Sequence, residues 1–138
     1  MALSGILAGV LPLLGVVVGA GLQFLLGRSL EASKQLKVQK AQAYADFFKA
    51  LALAATKGSS SDAMNSAADA KVRICIYGSP SVVAALSAFE KLGAKVDSDE
   101  SLTAVTALLR EMRRDVTGVA ADLDELTLRW VLFGPSRK

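Results

Sequence analysis

The sequence predicts an all-α protein: a single N-terminal transmembrane helix that continues into a long helix, packed with three or four shorter amphipathic helices as an antiparallel bundle. Three observations carry that expectation. Ala2–Gly27, ALSGILAGVLPLLGVVVGAGLQFLLG, contains no charged residue, and about 20 consecutive apolar residues in helical form cross a bilayer core. The chain is 52% hydrophobic but only 6% aromatic, so Ala and Leu, both strong helix formers, dominate its apolar content. Downstream of Gly27, apolar residues recur at three- and four-residue spacing, the period of a helix face. The expected organisation is an anchor over 1–27, a long connector helix over 28–57 joining the bundle, the remainder of the bundle over 58–134, and a tail over 135–138.

The apolar run reads as a retained anchor rather than a cleaved signal. A signal peptide needs a positive start, a short apolar core and a small-residue cleavage site. MALS has no Lys or Arg, and the run ends in LLGRSLEASK. Charge then sets the orientation. Arg28, Lys34, Lys37 and Lys40 follow the run against Glu31 alone, and the N-terminal flank has no cation. Cationic flanks stay on the cytoplasmic side, so the N-terminus is expected outside and the C-terminal domain in the cytoplasm. The four bases are expected at the lipid headgroups, each contributing about 1 kcal/mol near an anionic leaflet. No nucleic-acid partner is expected from so short a basic stretch.

Within the run, Gly5 and Gly9 form one G-x-x-x-G, Gly15 and Gly19 another, and Gln23 continues the second row. Residues four apart share a helix face. A face without side chains lets two helices approach closely, and an amide in hydrocarbon seeks a partner. Gly5, Gly9, Gly15, Gly19 and Gln23 are therefore the expected membrane helix contact face, for a homo-oligomer or for a larger membrane complex. Pro12 lies mid-run, where it removes a backbone donor.

Arg28 to Lys57 reads as one helix without Pro or internal Gly. Ala41, Tyr44, Phe48, Leu51 and Ala55 form its apolar face, with Leu36 and Phe47 beside them. GSSSD (58–62) is a turn with capping residues. Met64, Ala67, Ala68, Val72 and Cys75 follow at helical spacing up to Tyr77, with Gly78 as cap, and Cys75 in RICIY is expected to be a small buried apolar residue. Ser79-Pro80 is an N-cap followed by proline at the first helical position. Val82, Leu86, Phe89 and Leu92 follow, and Gly93 closes that helix. Asp97 and Glu100 have capping-box spacing. Leu102, Val105, Leu109, Met112, Val116 and Val119, with Leu108, make the cleanest amphipathic stripe. Asp122 and Glu125 repeat the capping spacing before Leu123, Leu126, Trp130 and Phe133.

The succession AQAYADFFKAL, RICIYGSPSVVAALSAF and LREMRRDV resembles a loose group of uncharacterised bacterial proteins with one N-terminal membrane helix and a small helical cytoplasmic domain. The resemblance covers most of the chain after Lys37. It implies a bacterial source, an inner-membrane anchor and a helical domain, and it brings no activity with it.

Enzymatic chemistry has little to stand on. The chain has no His and one Cys, which removes the commonest general base and zinc ligand. It also removes any Ser–His–Asp or Cys–His arrangement and any internal disulfide. It contains neither a P-loop nor G-x-S-x-G. The carboxylates of DSDE and DLDE sit where helix capping accounts for them, and neither run matches a calcium loop. No catalytic residue, cofactor or metal site is expected. In REMRRD, Arg110, Arg113 and Arg114 are candidates for docking a partner protein, against the simpler reading that Glu111 and Asp115 pair with them on a solvated face.

The function expected is therefore a non-enzymatic, membrane-anchored scaffold, accessory subunit or self-assembling protein. The alternatives are a membrane-perturbing effector of a defence or stress system and a ligand-sensing helical bundle.

Overall fold

A computed structural model describes residues 2–58, 60–119 and 123–134, with side chains described from residue 20 onward. The described residues are all-helical. Helix α1 runs Ala2–Lys57, α2 Ser61–Tyr77, α3 Pro80–Lys91, α4 Asp99–Thr117 and α5 Glu125–Phe133. The stretch VRICIY, β-branched enough to tempt a strand reading, is the last part of α2.

The chain divides into two compact units, Met1–Leu36 and Lys37–Lys138. In the first, Leu22, Phe24, Leu25, Leu26 and Leu30 are 55–64% exposed. A Cβ built on Gly21 or Gly27 would meet nothing within 4 Å. The Arg28 guanidinium lies 5.7 Å from the centre of the Phe24 ring, a cation–π distance. Among the described residues, no helix is long and apolar enough to cross a membrane. The expected span Ala2–Gly27 falls mostly on residues 1–19, whose side chains lie outside the described residues.

The second unit holds the core. Ala43, Tyr44 and Phe47 of α1 pack with Ala70 and Ile74 of α2. Val82, Leu86 and Phe89 of α3 and Val105, Leu108 and Met112 of α4 complete the cluster. Phe47 meets Phe89 edge to face at 6.4 Å, the favoured arrangement for aromatic pairs. Helix α3 packs on α4 and on α2, and α5 packs on α4.

Local sequence explains the boundaries. Ser60, Ser79, Ser98 and Asp124 cap α2, α3, α4 and α5, each accepting a hydrogen bond from the backbone N–H three residues on. Helix α4 is thus capped by Ser98, not by Asp97. Helix α5 is capped by Asp124, not by Asp122. Gly118 ends α4 with φ of 69°, a conformation glycine adopts freely.

The apolar faces depart from the sequence pattern in three helices. In α1 the buried residues are Ala43, Tyr44, Phe47 and Ala50, while Ala41 and Ala55 are exposed. In α2, Ala63, Ala70 and Ile74 are buried, but Met64 and Val72 are 62% and 58% exposed, and Cys75 is exposed. The expectation of a buried Cys75 is therefore corrected. Alanines on the inward side let α2 approach its neighbours closely, and Cys75 lies about 100° round the helix from buried Ile74. A reading weighted by hydrophobicity ranks Met and Val above Ala and picks the wrong side. In α5, Leu128 is buried while Leu126 and Trp130 are 64% and 63% exposed.

Candidate functional site

The most built-up polar feature of the second unit surrounds Asp115, one turn after the buried Met112 on α4. Its carboxylate reaches three partners on three segments. Lys40 Nζ lies 2.8 Å from Oδ1. The Tyr44 hydroxyl donates to Oδ2, and the Ser79 backbone N–H donates to the same oxygen at 3.1 Å. Lys40 and Tyr44 are one turn apart on α1, so a single helix presents both. Ser79 caps α3, and its side chain accepts from the Val82 N–H.

The turn before Ser79 is held close. A Cβ on Gly78 would lie 2.6 Å from the Ile74 carbonyl oxygen and 3.2 Å from the Tyr44 hydroxyl. Glycine therefore lets the α2–α3 turn settle against Tyr44, which brings the Ser79 N–H within reach of Asp115.

The site is closed. The side chains of Lys40 and Asp115 are 14% and 10% exposed, and Tyr44 is 5% exposed. Burial, the hydrogen bond to Asp115 and that residue's charge push the Tyr44 phenol well above its usual value. Burial acts to raise Asp115 as well, but the Lys40, Tyr44 and Ser79 donors together with the Lys40 charge outweigh it and hold the carboxylate below its usual range. A neutral phenol and an anionic carboxylate, each already satisfied, form a structural clasp. Their protons are bound too firmly in one case and too weakly in the other for exchange near pH 7.

Three segments of the sequence meet here. AQAYADFFKAL supplies Tyr44, RICIYGSPSVVAALSAF supplies Gly78 and Ser79, and LREMRRDV supplies Asp115. Sequence reasoning placed Asp115 among the arginines on a solvated face, and the structure corrects this. Leu108, Met112 and Asp115 follow one helix face, so a carboxylate in register with two buried apolar residues was the available signal. Lys40, expected at lipid headgroups, is committed to Asp115.

The other expected site residues stay apart from this cluster. Gly5, Gly9, Gly15 and Gly19 lie outside the residues with described side chains. Gln23, Arg28, Lys34 and Lys37 are exposed, as are Arg110, Arg113 and Arg114. Arg114 pairs with Glu111 at 3.1 Å. A second ionic group joins Arg73 to Asp46 and to Asp69, both at 2.8 Å, and the Arg73 donors hold Asp46 below its usual value.

A shallow groove of about 420 Å³ runs between α1 and the α3–α4 connection, lined by Leu51, Ala54, Ala55 and 93–97. Among the described residues, no group of three or more His, Cys, Asp or Glu side chains is placed to hold a metal ion. No protein-family model, curated protein or solved structure matches this chain.

Proposed function

We propose that this chain is a non-enzymatic, membrane-anchored helical scaffold or accessory subunit that assembles with copies of itself or with a larger membrane complex. One observation carries the reading. The charge-free run Ala2–Gly27 ends in a stretch where Leu22, Phe24, Leu25 and Leu26 are 55–64% exposed. A contiguous apolar surface of that kind marks a membrane or protein contact in a water-soluble setting.

Arg28, Lys34 and Lys37 follow at once and remain exposed, which suits an anionic leaflet and supports reading the bundle as lying on the cytoplasmic side of a bacterial inner membrane. The glycine rows Gly5–Gly9 and Gly15–Gly19, with Gln23, are the contact face, and the helices after Lys57 complete an antiparallel bundle with the end of α1. The closed state of the Asp115 cluster supports a structural role for the body.

Native-mass measurement in mild detergent tests the reading. Oligomers, or stable co-purifying subunits, are expected, and Gly15→Leu with Gly19→Leu should reduce them. A strict monomer that retains no partner contradicts it.

A further inference from the structure

Asp115 occupies the last turn of α4, which ends at Thr117. An anion there faces the negative end of its own helix dipole and weakens that turn. The same carboxylate sits at the start of α3, where the Ser79 N–H reaches it at 3.1 Å. At that position the positive end of the α3 dipole favours it, and α3 has no acid of its own in its first turn. Asp115 is thus placed against its own helix and in favour of a neighbouring one.

The compensating charge comes from α1. Lys40 Nζ lies 2.8 Å from the carboxylate, and Tyr44, one turn on, donates its hydroxyl. The adjacent cation on α4 does not serve: Arg114 is exposed and pairs with Glu111 at 3.1 Å. Lys40 also marks where α1 joins the body. Lys37, Val38 and Gln39 are exposed, Lys40 is half-buried, and the buried positions begin at Ala43. One turn of α1 therefore makes the first contact with the core and holds the end of α4, 75 residues further along the chain.

We infer that Asp115 is a latch between α1 and the end of α4. While Lys40 and Tyr44 are docked, the carboxylate is held and α4 stays wound to Thr117. When that turn of α1 lifts, the uncompensated charge loosens the last turn of α4 and frees the Ser79 N–H. A displacement of α1 is thereby converted into a change at the end of another helix. The latch lies wholly within the second unit and does not depend on what holds the N-terminal run.

Hydrogen–deuterium exchange of the full chain in mild detergent, read at amides 114–118 and at core amides 86–90, tests the latch. Lys40→Met should speed exchange at 114–118 about two- to fivefold, the size of a helix-dipole effect. The turn stays mostly wound in such a chain, so exchange reads the change more directly than equilibrium stability does. Adding Asp115→Asn removes the charge that opposes the turn, and exchange at 114–118 should slow again. Amides 86–90 should meanwhile exchange as fast as in Lys40→Met or faster, because the carboxylate's hydrogen bonds are weakened too. Tyr44→Phe keeps its ring in the core and should give the same pattern, with and without Asp115→Asn, even where Lys40→Met folds poorly. Unchanged exchange at 114–118 in Lys40→Met and in Tyr44→Phe would overturn the latch. So would a double variant in which 114–118 and 86–90 speed up together, which would mark Asp115 as a plain contributor to stability.

Discussion

Replacing Asp115 by Ala leaves Lys40 Nζ, the Tyr44 hydroxyl and the Ser79 N–H without their shared acceptor. Removing one partner of a buried ion pair costs about 3–5 kcal/mol, whereas Tyr44→Phe removes a single hydrogen bond to a charged group, about 1.5–3 kcal/mol. Urea unfolding of the full chain in mild detergent, followed by far-ultraviolet circular dichroism, should rank the two in that order. The same cluster sets a pH dependence. Asp115 is held below its usual range in the folded chain, so its contribution is present above the unfolded carboxylate value of about 3.9. That contribution is lost as pH falls through the lower folded value. Tyr44 is displaced upward, so the corresponding loss begins as pH rises past about 10, where the unfolded phenol ionises. Unfolding midpoints measured across pH should fall at both extremes, and Asp115→Asn should remove its share of the acid limb.

At the scale of the elements, the two glycines at the ends of α2 and α4 should respond differently to alanine. Gly78 has φ of −71°, which any residue adopts, so the cost of Gly78→Ala comes from the 2.6 Å approach to the Ile74 carbonyl. Overpacking of this kind costs about 1–3 kcal/mol, and it should also weaken the Ser79–Asp115 hydrogen bond. Gly118 has φ of 69° with open space around it, so Gly118→Ala meets only the left-handed backbone penalty of about 1–2 kcal/mol. Combining each with Tyr44→Phe in a double-mutant cycle separates them: Gly78→Ala should couple to Tyr44, and Gly118→Ala should add independently.

The helices themselves were legible because caps and period agree. Ser79-Pro80 and the stripe of Leu102, Val105, Leu109, Met112 and Val116, with Leu108, lead to α3 and α4, although Leu108 rather than Leu109 is buried and Val119 lies exposed beyond the end of α4. The buried sides of α2 and α5 were not legible, since both helices are apolar on more than one face and periodicity alone does not choose between them. Asp115 was hidden for a related reason. Its neighbours Arg113 and Arg114 suggest a solvated surface, and only the long-range approach of α1 and the α2–α3 turn makes its position a core one.

For the whole molecule, the proposed anchor Ala2–Gly27 would hold the helical body of the second unit at a membrane. That body closes its own buried polar group, with Lys40 and Tyr44 just beyond the boundary between the two units. All of this depends on whether the apolar run holds the chain in a bilayer. Extraction of membranes with alkaline carbonate tests that claim most directly. The chain should stay in the membrane pellet and be released only by detergent. Recovery of the chain in the carbonate supernatant would contradict it.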